Sequence, residues 1–193
     1  MGKKNMDVKD YIKIYDDAMP YHVLTNFIKY ANQVNFEPAG LSIGSKNIIN
    51  KEERNVSNFG LNNNDQSLTE AHWYNLVCAM FKKLIKQYIN DTNVVVNIDQ
   101  ITSVEILKYE KGGFYKYHTD HCLGFPRTLS GIYLLNNDYT GGELCFKSAD
   151  RKTEHQIDVK PNRFIMWPSN FLYPHTVKPV KEGTRYSLVC WAL

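Results

Sequence analysis

Ile101-Thr-Ser-Val-Glu-Ile-Leu-Lys-Tyr109 and Phe114-Tyr-Lys-Tyr-His118, with Glu110-Lys-Gly-Gly113 between them, decide the reading of this chain. Two short runs rich in β-branched and aromatic residues, separated by a glycine-bearing turn, read as neighbouring strands. Downstream the rhythm continues. Strands are expected at 128–135, 143–146, 156–159, 163–167 and 185–191. Such spacing predicts a sandwich or barrel. Upstream the character differs. From Pro20 to Val34, Val23, Leu24, Phe27, Ile28 and Ala31 recur at three- and four-residue intervals, the stripe of a packing helix. Ser67 is placed as the N-cap of a second helix, with Glu70 three residues on to complete a capping box. That helix carries Trp73, Leu76, Val77, Met80, Phe81, Leu84, Ile85 and Tyr88, and is expected to end near Asn90-Asp91. Residues 40–67 are polar and asparagine-rich, ending in Asn62-Asn63-Asn64-Asp65, and read as a loop that could cover a site. Helices first and strands afterwards give an α+β chain, mainly β. The expectation is a single domain over 1–193: a jelly roll over 101–193, supported by a mainly helical 1–100.

Composition sets bounds on partners. The chain has 193 residues, 43% hydrophobic and 22% charged, close to an ordinary soluble protein with a real core. A net charge of +3 without a dense basic stripe predicts no nucleic-acid partner, and Lys82-Lys83 and Lys86 read as a solvated helix face. Apolar runs are too short to cross a bilayer, so no membrane partner is expected. Met1-Gly2-Lys3-Lys4-Asn5 has no apolar stretch behind it, and Met6 stands where a myristoylation motif needs Ser or Thr. Cys78, Cys122, Cys145 and Cys190 are widely spaced and read as free thiols in a reducing cytoplasm. A monomer is expected.

Chemistry concentrates in the strand-rich half. In His118-Thr119-Asp120, an extended backbone turns the imidazole and the carboxylate to one face, where both can meet one metal ion. His175 lies 55 residues after Asp120, far enough for the chain to cross a jelly roll and return. Two histidines and one carboxylate on one side of an ion leave the other side open, which is the facial triad of non-haem iron(II) oxygenases. Arg185 enters an apolar strand. Burying a guanidinium there is costly unless it is paired, and its fork suits a carboxylate. Ser187, two residues on, shares that face and adds a hydroxyl. His22, His72, His121 and His155 read as structural or surface residues.

Three stretches carry a family resemblance. Tyr109-Glu-Lys-Gly-Gly-Phe-Tyr-Lys-Tyr-His118-Thr-Asp120 resembles the metal-binding strand of prolyl 4-hydroxylase-like Fe(II)/2-oxoglutarate oxygenases. So do Arg127-Thr-Leu-Ser-Gly-Ile-Tyr-Leu-Leu-Asn136 with Gly141-Gly142-Glu143-Leu144, and Pro174-His175-Thr-Val-Lys-Pro179-Val-Lys-Glu-Gly183-Thr-Arg185-Tyr-Ser-Leu-Val-Cys-Trp191. The resemblance covers about residues 101–193 and implies a double-stranded β-helix. It implies Fe(2+) on His118, Asp120 and His175, with Arg185 gripping the far carboxylate of 2-oxoglutarate. It further implies contacts from Tyr109 and Ile132 to that co-substrate, dioxygen as oxidant and ascorbate as reductant. Leu134 stands where several prolyl hydroxylases place a co-substrate tyrosine, and a regular strand turns Tyr133 the other way. Halogenases of this type lack the carboxylate, so Asp120 favours hydroxylation. DNA-repair relatives carry a second Arg where Trp191 stands, which disfavours base demethylation. The expected substrate is proline in a peptide or protein, docked on a rim of Tyr115, Tyr117, Trp167 and Tyr173. A free amino acid or other small molecule is the alternative, and a non-enzymatic metal-binding jelly roll the more distant one.

Overall fold

The computed structural model describes residues 7–43, 46–63, 66–98, 100–122, 124–148 and 150–193. The stretch weighed for myristoylation, Met1 to Met6, lies outside them, as do Asn64 and Asp65. Two antiparallel sheets dominate. The larger has seven strands in the spatial order Lys13–Asp16, Arg163–Pro168, Leu129–Leu134, Arg185–Ala192, Ile101–Tyr109, Ser57–Leu61, Glu37–Pro38. The smaller has five: Glu154–Ile157, Leu144–Lys147, His175–Val177, Phe114–His118, Arg54–Asn55. This is the mainly β jelly roll with two supporting helices that the sequence predicts.

Strand alternation divides the large sheet into two faces. Val104, Ile106, Tyr133, Phe164, Met166, Leu188 and Cys190 pack against Leu24 and Phe27 of the helix Tyr21–Ala31 and Trp73, Val77, Phe81 and Tyr88 of the helix Leu68–Thr92. The opposite face presents Leu107, Tyr109, Ile132, Leu134, Ile165, Trp167, Val189 and Trp191 to Leu144, Phe146, Ile157 and Val177 of the small sheet. Tyr133 therefore belongs to the helix side and donates its hydroxyl to Asn162 Oδ1 at 2.5 Å, while Ile132 and Leu134 face the small sheet.

Ser67 caps the long helix by accepting from the Glu70 amide at 3.2 Å. Half of the expected box is replaced, because Glu70 Oε1 accepts from the Asn62 amide at 2.8 Å. The helix runs on to Thr92 and stops at Asn93, whose left-handed backbone (φ 53°) ends it.

The loop reading of residues 40–67 requires correction. Arg54–Asn55 pairs with Phe114–His118 in the small sheet, and Ser57–Leu61 pairs with Ile101–Tyr109 in the large one. The N-terminal half thus supplies strands to both sheets as well as helices. The pairing is imposed by long apolar partners, which overrides the weak strand preference of an asparagine- and serine-rich segment. Among the described residues, no helix is long and apolar enough to cross a membrane. Cys78, Cys145 and Cys190 are buried free thiols, and Cys122 is an exposed one.

Candidate metal centre

His118 and His175 face each other on adjacent strands of the small sheet. Asp120 follows His118 just beyond the strand end. The ligand atoms of His118, Asp120 and His175 all lie within 4.8 Å of one another. Asp120 Oδ1 lies 3.6 Å from His118 Nε2, and Oδ2 lies 3.6 Å from His175 Nε2. Each imidazole is aimed by its other nitrogen. His118 Nδ1 sits 2.9 Å from the Lys116 carbonyl and His175 Nδ1 3.1 Å from the Tyr173 carbonyl. A carbonyl only accepts, so both rings carry hydrogen on Nδ1 and present an Nε2 lone pair to the centre.

Burial, reinforced by neighbouring His118, pushes His175 down to about 4, so it is neutral around pH 7 and in the ligating form. Burial alone would raise the Asp120 carboxyl. Its neighbours outweigh burial and hold the group well below the usual carboxylate range, among them the Ser130 hydroxyl, which donates to Oδ2 at 2.6 Å. Ser130 also shares a 2.7 Å hydrogen bond with Ser169, which fixes the carboxylate plane. Two imidazoles and one carboxylate fit a divalent transition metal such as iron(II). Tyr115 stacks on the His118 ring at 3.5 Å, and Trp167 meets His175 edge-on at 4.9 Å.

Arg185 is fully buried. Its Nη1 donates to Ser187 Oγ at 2.7 Å, and the guanidinium lies 4.9 Å from the centre of the Tyr109 ring. Among the described residues Nε and Nη2 have no hydrogen-bond partner, and the neighbouring Tyr139 hydroxyl is likewise unsatisfied. A buried cation with two unused donors fits a ligand carboxylate, the chemistry that 2-oxoglutarate offers. Gly142 makes room for it: a Cβ there would stand 2.9 Å from Arg185 Cδ.

A cavity of about 230 Å³ opens onto the metal ligands. Tyr109 and Ile132 line it; Arg185 and Ser187 do not, and the Arg185 guanidinium lies over the Tyr109 ring. The expected aromatic rim is only half realised: Tyr115 and Trp167 line the cavity, and Tyr117 and Tyr173 do not. The cause is local. Between the pairs His175–His118 and Val177–Tyr115, one strand advances two residues and the other three. Tyr117, next to His118, faces the other side of the sheet by ordinary alternation and hydrogen-bonds Glu154, while the bulge brings Tyr115 round to the His118 face. Tyr173 is buried in the core between the two sheets. His22, His72, His121 and His155 stay outside the metal group.

Four polar groups at this site escape a reading by motif. Ser130 orients Asp120, while Arg54, Glu105 and Arg127 line the cavity. The available signal was strand parity, since Glu105 shares its face with Tyr109, and Ser130 with Ile132.

Comparison with known proteins agrees with this geometry. Residues 104–193 match the model of the 2OG-Fe(II) oxygenase superfamily. The matched stretch takes in His118, Asp120, His175 and Arg185. It is 26% identical over 144 residues to human prolyl 3-hydroxylase 1, covering 64% of this chain and 20% of that protein. It is 31% identical over 101 residues to a PKHD-type hydroxylase of Idiomarina loihiensis, covering 50% and 44%. The chain thus spans less than half the length of these curated relatives. Among solved structures, a Trichoplax adhaerens prolyl hydroxylase in complex with a hypoxia inducible factor peptide fragment superposes with a TM-score of 0.74. It is 20% identical, with 95% of this chain and 84% of that one covered. A Pseudomonas putida prolyl-4-hydroxylase gives 0.71 at 18% identity, covering 94% and 91%.

Proposed function

We propose that the chain is an iron(II)- and 2-oxoglutarate-dependent dioxygenase that hydroxylates proline within a peptide or protein. One observation carries the reading: three convergent ligand atoms open onto a cavity lined by Tyr109, and over that ring lies a buried arginine with two donors unpartnered among the described residues. A purely structural metal site is usually closed by four protein ligands and has no need of such an arginine. The peptide substrate is supported by the names of the relatives, prolyl 3-hydroxylase and prolyl-4-hydroxylase, which differ in the carbon they oxidise.

His118, Asp120 and His175 would hold the iron, and Arg185 with Ser187 would hold the far carboxylate of 2-oxoglutarate. Iron with its co-substrate and dioxygen would supply the oxidising power, splitting 2-oxoglutarate to succinate and carbon dioxide and placing one oxygen atom on the substrate. The protein's own share is positioning. Ser130 fixes the Asp120 carboxylate, and the Nδ1 hydrogen bonds fix both imidazoles. Trp167, Leu144 and Val177 exclude water from one wall. Ascorbate would return the iron to its ferrous state after unproductive turnover.

The test is incubation with iron(II), 2-oxoglutarate, ascorbate and a panel of proline peptides, read by mass spectrometry. One added oxygen on proline supports the reading. Succinate formation stimulated only by a free amino acid would replace the substrate and keep the chemistry. His175→Ala should abolish both metal binding and turnover while the fold survives, and full activity in that variant would end the assignment.

A further inference from the structure

Glu105 breaks a rule of its own sheet. It lies opposite Val189, Val189 opposite Ile132, and Ile132 opposite Ile165. This row crosses four strands on the face turned to the metal, and the other three members are aliphatic. Glu105 is half-buried, and a carboxylate in such a row gives up part of its contact with water. Its hydrogen bond among the described residues comes from the neutral Asn58 side chain, Nδ2 to Oε2 at 3.0 Å. The cavity's arginines make no hydrogen bond or ion pair to it among the described residues. Arg127 lies over the Trp191 ring at 3.7 Å and feels Glu105 through charge alone, and Arg54 donates to the Gly40 carbonyl at 2.8 Å and lies over the Tyr115 ring. Among the described residues, Glu105 thus has no ion-pair partner of its own.

Its position is a threshold. Glu105 and Asn58 line both the metal cavity and a second, shallower groove that continues over Gly60, Asn62 and Ser103. Gly60 is directly opposite Glu105, and a Cβ there would meet nothing within 4 Å. The missing side chain leaves the passage open. An extended chain gains roughly 3.3 Å per residue, so a peptide with its reacting residue at the metal would carry a near neighbour past Glu105.

We propose that Glu105 is a specificity-determining residue that selects a substrate bearing a positive charge, an ammonium or guanidinium on a residue close to the one oxidised. The inference rests on the peptide-hydroxylase reading of the site. Arg127 and Arg54 repel such a charge from the rest of the cavity, so they fix which way the substrate runs as well as where the cation sits.

The experiment measures anisotropy of short fluorescein-labelled peptides with a central proline, flanked by Lys or by Glu. The protein is wild type, Glu105→Gln, which keeps size and the Asn58 contact, and Glu105→Met, which completes the aliphatic row. Wild type should prefer the Lys peptide by about tenfold, equivalent to about 1.4 kcal/mol, and both variants should reduce that preference to roughly twofold or less. Added salt should erode the preference in wild type alone. Equal preference in all three proteins, or none in wild type, overturns the proposal. Glu105-dependent displacement of the peptide by free L-lysine or L-proline would assign the cation to a small molecule and overturn the peptide form. Mass spectrometry of the same peptides separates this inference from the reading it rests on. Selective binding without oxygen on proline defeats proline hydroxylation and keeps Glu105 as the selector. Oxygen added regardless of flanking charge keeps proline hydroxylation and defeats the selector.

Discussion

Arg185 shows how much a single buried side chain can say. A fully buried guanidinium with two unused donors is tolerable only if something else completes it. Leaving one side of such a pair empty costs roughly 3–5 kcal/mol. Arg185→Ala should therefore weaken 2-oxoglutarate binding by on the order of 100-fold or more, given that about 1.4 kcal/mol is tenfold. Metal binding should survive, since the ligands stand on other strands. Anaerobic titration with 2-oxoglutarate decides it; unchanged affinity would mean that another group holds the carboxylate. His118, Asp120, His175 and Arg185 were all legible in the sequence, because motif spacing carries them. Ser130 and Glu105 were not, because a serine or glutamate in a strand becomes informative only when its face is known. Tyr115 and Tyr117 show the same limit: alternation from His118 turns Tyr117 away, but a one-residue bulge brings Tyr115 in, and nothing in Tyr-Lys-Tyr-His announces the bulge.

At the scale of elements, the strand Leu129–Leu134 is the hinge between site and support. Ser130 and Ile132 serve the metal side, and Gly131 and Tyr133 the helix side. Gly131 is small because Phe164 of the neighbouring strand and Phe81 of the long helix close over it: a Cβ there would stand 2.5 Å from Phe164 Cζ and 2.9 Å from Phe81 Cε2. Overpacking of that kind costs about 1–3 kcal/mol, so Gly131→Ala should lower the urea midpoint by a corresponding amount. An unchanged midpoint would show that the two rings yield freely. The first strand, Lys13–Asp16, is tied to its neighbour by Arg163, which donates to both Asp16 oxygens at 2.7 and 3.0 Å. That pairing holds the Asp16 carboxyl down to about 2. A depressed carboxyl stabilises the fold above its ordinary range and loses that contribution as pH falls. The advantage of wild type over Asp16→Asn should thus be present near neutrality and fade between about pH 4 and about pH 2. The Asp16 side chain is 35% exposed, so the effect should stay below about 1 kcal/mol. Thermal melts of both proteins across that range measure it, and a gap that persists at the acid end would rule out ionisation as its source.

Over the whole molecule, the question is whether the strand-rich half can stand without the half before it. Periodicity revealed the two helices, because an apolar stripe is a local signal. The strands at Arg54–Asn55 and Ser57–Leu61 left no such mark, since their order comes from partners about 50 residues away. The superfamily match begins at residue 104, close to where the sequence alone places the jelly roll. The packing argues that this boundary is one of recognition rather than of stability. Removing residues 1–100 would bare Val104, Ile106, Tyr133, Phe164, Met166, Leu188 and Cys190 on one face of the large sheet. At about 1.5–3 kcal/mol for each large apolar side chain, the loss rivals the 5–15 kcal/mol by which whole domains are usually stable. It would also unpair the outer edge of Ile101–Tyr109, the strand that bears Glu105 and Tyr109, and leave a bare template for aggregation. A fragment of residues 101–193 should therefore bind a hydrophobic dye, unfold without a cooperative transition and hold cobalt weakly. A fragment that melts cooperatively and binds cobalt as the full chain does would show that the helices and N-terminal strands are dispensable, and that the metal centre is held by the small sheet alone.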